Sequence, residues 1–181
     1  MNKFNTLPAL VCRMTVAVAT GILLLASGSV QGQTIKKATS TTTQLKKMNV
    51  KGFKTNIQQD VLLNKDFRKV LYTAQHLQLV LMTLKPGEDI GMETHPTIDQ
   101  FFRFESGHGK CIINGHEYDI KAGDAIIVPA GARHDVINLD KKADLTMYTI
   151  YAAPNHKDGL VRATKKEADA HGIKFDGKTT E

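Results

Sequence analysis

Between Ile57 and Ala153 the sequence is a series of short apolar runs separated by turn residues, and this pattern constrains the fold most. Gly, Pro or Asn ends most of the runs, and Asn114-Gly115 is the strongest hairpin signal in the chain. No stretch of this region shows sustained helical periodicity. The pattern predicts an all-β sandwich or barrel, with strands within residues 76–87, 99–109, 110–120, 124–131, 133–139 and 144–154.

The segments that flank these strands are less regular. Residues 56–75 are compatible with a strand, a turn and a second strand, or with one helical turn in place of a strand. Near the end of the chain, Thr164 and Glu167 have the spacing of a capping box. This spacing predicts a short helix over Ala168–His171 that ends at Gly172, although a frayed surface tail is the alternative.

The N-terminus has the layout of a secretory signal peptide. Lys3 and Arg13 precede a short apolar run that ends in small residues. We therefore expect residues 1–32 to be a signal peptide, cleaved after Gly32 or after Gly28, with a retained anchor as the alternative. Residues 33–55 are expected to be a flexible linker, 56–154 the β-barrel domain and 155–181 a tail with a short helix. The mature protein is then secreted or periplasmic.

Charge and cysteine content narrow the function further. Removal of residues 1–32 takes away one Lys, one Arg and no acidic residue, so the formal net charge falls from +6 to +4. The lysines are scattered, which argues against nucleic acid as a partner. Cys12 lies in the signal peptide, so Cys111 is alone in the mature chain. Its apolar neighbours predict a buried, inert thiol.

One polar cluster suggests a metal site. In a strand, residues two apart point to the same face, so Glu93 and His95 can reach one point. Gln100 opens the next strand, and a turn after Pro129 brings in His134. One carboxylate, one amide oxygen and two imidazoles suit Mn, Fe, Co, Ni or Zn. Phe102 and Phe104 are predicted to form an apolar wall of the same cavity. The remaining histidines of the mature chain are predicted to have no role at the site: His76, His108, His116, His156 and His171.

The spacing of these residues resembles the two motifs of the cupin superfamily. The first motif runs from Gly87 through Glu93, His95 and Gln100 to Gly107, and the second from Gly123 through Pro129, Gly131 and His134 to Asn138. The resemblance implies a double-stranded β-helix (a jelly-roll barrel), often a homodimer, with Glu93, His95, Gln100 and His134 at the metal-ligand positions. Glu93 replaces the usual His and Gln100 the usual Glu, so the ligand charge is unchanged.

The resemblance is to small single-domain cupins of type 2 described as sugar-isomerase-like. It implies a metal-dependent enzyme, isomerase-like or lyase-like, that acts on a small oxygenated molecule such as a sugar or sugar acid. Glu93 is then a metal ligand or a general base. A metal-dependent dioxygenase and a non-catalytic sugar- or metal-binding module remain alternatives. Four further residues are expected to belong to the barrel and its rim: Asp99, Tyr118, Tyr148 and Tyr151.

Overall fold

The computed structural model describes residues 50–181, so the expected signal peptide and residues 33–49 of the expected linker lie outside the described residues. Ten strands form two antiparallel sheets in this part of the chain. From edge to edge, the larger sheet contains β10 (Val161–Arg162), β1 (Arg68–Thr73), β2 (Gln78–Leu84), β9 (Leu145–Ala152), β4 (Asp99–Ser106) and β7 (Ala125–Val128). The smaller sheet contains β3 (Glu93–Thr94), β8 (Arg133–Asn138), β5 (His108–Ile113) and β6 (His116–Lys121). The all-β prediction is confirmed.

Both sheets contribute to one hydrophobic core. Val80, Met82 and Phe104 come from the larger sheet, and Cys111 and Val136 come from the smaller one. Burial raises the pKa of the Cys111 thiol to about 12. The predicted buried, unreactive thiol is confirmed, and the stability of the barrel depends on this apolar contact between sheets.

Two turns show why particular residues are needed. Asn114 and Gly115 both have positive φ, at 49° and 84°, as the tight hairpin between β5 and β6 requires. Gly107 links β4 to β5 with φ of 84°, and a Cβ there would lie 2.6 Å from the carbonyl oxygen of Asp144. Gly107 is therefore required both by its backbone conformation and by the close approach of a second chain segment.

Two short helices flank the strands. α1 spans Ile57–Leu63 and begins at Asn56, whose side chain accepts a hydrogen bond from the backbone N–H of Gln59. Residues 56–75 thus contain a helix of seven residues, longer than the single turn considered from the sequence, and Val61 is its buried residue. None of the helices within residues 50–181 has the length and apolar character needed to cross a membrane.

The predicted C-terminal helix is confirmed with shifted limits. α2 spans Lys165–Ala170, and the Thr164 side chain accepts a hydrogen bond from the Glu167 N–H, as in a capping box. The helix begins three residues before the predicted start, because the chain becomes helical directly after the cap. After α2 the chain returns to the barrel, where Phe175 donates its N–H to the Asn155 carbonyl at 3.0 Å.

Candidate metal centre

The fold brings the four predicted ligand side chains together. Glu93 in β3 lies directly opposite His134 in β8, and His95 follows Glu93 by two residues. Gln100 enters from β4 in the other sheet. The site therefore lies between the two sheets, with donors from both.

The donor atoms are close to one another. The Glu93 carboxylate oxygen Oε1 lies 3.2 Å from His95 Nε2 and 3.5 Å from His134 Nε2. His134 Nε2 also lies 3.0 Å from the amide oxygen of Gln100. Glu93, His95 and His134 each offer a ligand atom within 4.8 Å of the others. His134 is fully buried, whereas a quarter of the Glu93 side chain is exposed, so Glu93 faces the opening of the site.

Neighbouring groups hold two of the donors in orientation. His134 Nδ1 lies 3.1 Å from the carbonyl oxygen of Ala132, so a proton on Nδ1 leaves Nε2 to face the site. Gln100 donates its amide N–H to the Thr149 hydroxyl at 3.0 Å, which turns its oxygen toward His134. A turn at Gly131, with φ of 82°, supports this arrangement, because the Gly131 N–H donates to the carbonyl of His95.

The electrostatics favour a cation at this place. Burial by itself would raise the pKa of Glu93, but hydrogen bonds with His134 and His95 and the charge of Arg68 hold that pKa well below its usual range. Burial would lower the pKa of His134, but hydrogen bonds to Glu93 and to the Ala132 carbonyl raise it. Glu93 therefore stays ionised, and its negative charge faces both histidine rings.

The aromatic surroundings differ in part from the prediction. The Phe102 ring lies 6.2 Å from the His134 ring, and Phe104 stacks behind Phe102. Both side chains are fully buried and lie behind His134 rather than along the open cavity. Tyr151, expected to be an ordinary barrel residue, lies edge-on to His95 at 5.6 Å and to His156 at 5.1 Å. Tyr151 therefore packs directly against the candidate site.

A small cavity of about 60 Å³ adjoins Glu93, and residues distant in sequence line it. Arg68 comes from β1, Asn155 and His156 follow β9, and residues 171–174 cover the outer side. His156 and His171 were expected to be ordinary residues, but both line this cavity. A larger cavity of about 570 Å³ lies elsewhere, beside Tyr72 and Phe175, and none of its lining residues belongs to the Glu93 cluster.

His156 is tied down by several contacts. The Gln78 side chain donates to its carbonyl at 2.7 Å and accepts from its N–H at 2.9 Å, and His156 forms a β-bridge with Lys174. Burial lowers the pKa of His156 to about 3, so the ring is neutral. No spacing rule in the sequence marks His156, because its partners lie far away along the chain.

The donor set fits a divalent transition metal. Two imidazole nitrogens, one carboxylate and one neutral amide oxygen are ligands for Mn, Fe, Co, Ni or Zn. The Glu93, His95 and His134 group can hold such an ion, whose identity the donors do not determine. The hydrogen bond from Nδ1 of His134 to a backbone carbonyl is a common support for a metal-binding imidazole.

Comparison with known proteins identifies the family. A family model described as a Cupin domain matches residues 80–151. The crystal structure of BH2720 from Bacillus halodurans has a TM-score of 0.65 and 38% identity, and the match covers 68% of this chain and 98% of that one. The chain belongs to the cupin family. The uncharacterized protein YrkC of Bacillus subtilis is 43% identical to this cupin over 133 residues, which are 70% of each chain.

A more distant relative carries the name of an enzyme. An oxalate decarboxylase from Arthroderma benhamiae is 28% identical over 83 residues, which are 43% of this cupin and 20% of that protein. The predicted membership of the cupin superfamily is thus confirmed. Cupins often bind a metal, and the Glu93 group is this cupin's candidate for that role.

Proposed function

We propose that this protein is an exported, metal-dependent cupin that acts on a small oxygenated molecule. The observation that carries the proposal is the convergence of Glu93, His95, Gln100 and His134 beside a cavity that opens at Glu93. These four side chains would hold the metal. When bound, a divalent metal supplies a Lewis acid that polarises a carbonyl or hydroxyl oxygen of the substrate. Export is proposed from the N-terminal sequence alone. Homodimer formation is proposed from the family resemblance.

The size of the cavity favours a small acid as the substrate. The cavity of about 60 Å³ is small beside the ~300–1,000 Å³ of typical ligand pockets. A carboxylate or a two-carbon acid suits so small a cavity, whereas a whole sugar acid requires residues 171–174 to move aside. The similarity to part of an oxalate decarboxylase supports the same class of substrate, a small organic acid.

Several side chains suit such a reaction. Glu93 is ionised, faces both histidines and is partly open to the cavity, so it is the candidate ligand or general base. Burial raises the pKa of the Tyr151 hydroxyl, which keeps it protonated.

A substrate screen with metal-loaded and metal-free protein tests this proposal. Two-carbon to four-carbon organic acids, sugars and unsaturated sugar acids are incubated with each form, and products are followed by NMR. Metal-dependent turnover that is lost in Glu93→Gln supports the proposal, and parallel oxygen consumption identifies a dioxygenase. Binding without turnover of any compound favours the non-catalytic module instead.

A further inference from the structure

Two arginines lie directly opposite each other at the edge of the larger sheet. Arg68 in β1 pairs in register with Arg162 in β10, and both line the cavity that adjoins Glu93. Residues opposite each other on antiparallel strands share one face of the sheet, and like charges there destabilise the pairing. The contribution of both arginines to the cavity therefore suggests a role other than stabilising the strand pair.

Both guanidinium groups have unused donors. The buried Nε atoms of Arg68 and Arg162 have no hydrogen-bond partner, and they are two of the four such side-chain atoms found within residues 50–181. Neither arginine forms an ion pair with a carboxylate in this part of the chain. Arg162 uses its other nitrogens to donate to the carbonyls of Val161 and His171. Buried donors without acceptors are costly unless a ligand supplies the acceptors.

The side chains that line the cavity carry a net positive charge. Arg68, Arg162 and Lys174 line it with positive charge, whereas Glu93 is the single carboxylate among its lining residues. Among these four side chains, positive charges exceed negative ones by two. Glu93 directs its oxygen to the two histidine rings. An anion that enters the cavity therefore finds uncompensated positive charge and free N–H donors at the arginines.

We propose that Arg68 and Arg162 form a carboxylate-binding subsite at the mouth of the metal centre, which holds the acid group of a small organic ligand. A carboxylate has two coplanar oxygens that match the planar fork of a guanidinium. The orientation of the rest of the ligand toward Glu93 rests on the proposed function, whereas the subsite itself needs no metal.

NMR titrations of metal-free protein, purified from expression of the full chain, test the subsite. Acetate and malonate are added, and the backbone amide signals of Gly172 and Lys174, which line the cavity, are followed. Acetamide serves as the uncharged analogue of acetate, and inorganic phosphate as the tetrahedral anion. We expect saturable shifts with the carboxylates, none with acetamide, and weaker binding of phosphate.

Variants of the two arginines test whether these residues bind the carboxylate. Arg68→Gln and Arg162→Gln should each weaken carboxylate binding by about tenfold or more, because each removes a charge-assisted hydrogen bond. Lys69→Gln is the matched control: it removes one positive charge from the same strand, and Lys69 does not line this cavity. It should leave the affinity within about twofold, since neighbouring residues of a strand point to opposite faces and Lys69 therefore points away from Arg68.

The outcomes separate this subsite from the metal centre. His134→Ala should lose the metal and still bind acetate, so a failed metal site leaves the subsite standing. If Arg68→Gln does not fold, Arg162→Gln on the edge strand and Arg68→Lys, which keeps the charge without the fork, replace it. Unchanged affinity in the arginine variants, equal binding of acetamide, or no carboxylate binding by the wild type overturns the subsite. Tighter binding of phosphate overturns its assignment to a carboxylate.

Discussion

Replacing His156 with Gln should make the stability of the protein less sensitive to acid. The buried ring has a pKa of about 3 in the folded protein, against 6.5 for an exposed histidine. At a pH between these two pKa values, His156 is protonated in the unfolded chain but not in the folded one. The free energy of unfolding of the wild type therefore falls as the pH falls. From about pH 7.5 to about pH 5 this single group removes ~2 kcal/mol from the free energy of unfolding, out of a typical total of ~5–15 kcal/mol.

Urea unfolding at both pH values, in buffer with EDTA, measures this effect. His156→Gln should be less stable than the wild type at about pH 7.5, because the packing against Tyr151 is lost. Its further loss on acidification should be smaller by ~2 kcal/mol, since Gln takes up no proton. His116→Gln is the control, because His116 is exposed and should leave the pH dependence unchanged. Equal acid sensitivity in His156→Gln and the wild type would refute the reasoning.

Three further predictions concern the site and the barrel. Metal affinity should rise with pH and level off once the pH exceeds the raised pKa of His134, because the metal competes with a proton for that ring. Chelator competition measures the affinity, and a pH-independent affinity contradicts the prediction. Gly107→Ala should destabilise the protein by more than ~2 kcal/mol, and by more than Gly115→Ala, which has the same φ of 84° but no atom within 4 Å of the added Cβ. Thermal unfolding compares the two, and equal losses would exclude the clash with Asp144. The Cys111 thiol, with a pKa of about 12, should resist a thiol reagent such as DTNB until the protein unfolds, and rapid labelling of the native protein would disprove its burial.

The proximity of the candidate ligands could be predicted from the sequence because local rules place most of them. Glu93 and His95 share a face by the two-residue period of a strand, and the turn before His134 is marked by Pro129 and Gly131. The contact of Gln100 with His134 needed the motif spacing, because the two residues come from different sheets. The motif spacing therefore predicted that these four side chains lie close together.

The surroundings of that centre could not be predicted in this way. Arg68 lies opposite Arg162 through the pairing of β1 with β10. Along the sequence, nearly all strands of the barrel lie between these two residues. His156 is buried by Gln78 and by the returning C-terminal segment at Lys174. No local pattern encodes these contacts, because they depend on the path of the chain after the last long strand. The limits of α1 likewise depend on the Asn56 cap rather than on apolar periodicity.

The most direct test of the account is the metal content of the purified protein. Elemental analysis should find close to one divalent transition metal per chain in the wild type and in His116→Ala, an exposed-histidine control. His95→Ala and His134→Ala should each lose most of that metal, because each removes one of the two imidazole ligands of the Glu93 group. Metal well below one per chain in the wild type after reconstitution with Mn, Fe, Co, Ni or Zn, or metal content unchanged in both histidine variants, would contradict the proposed centre.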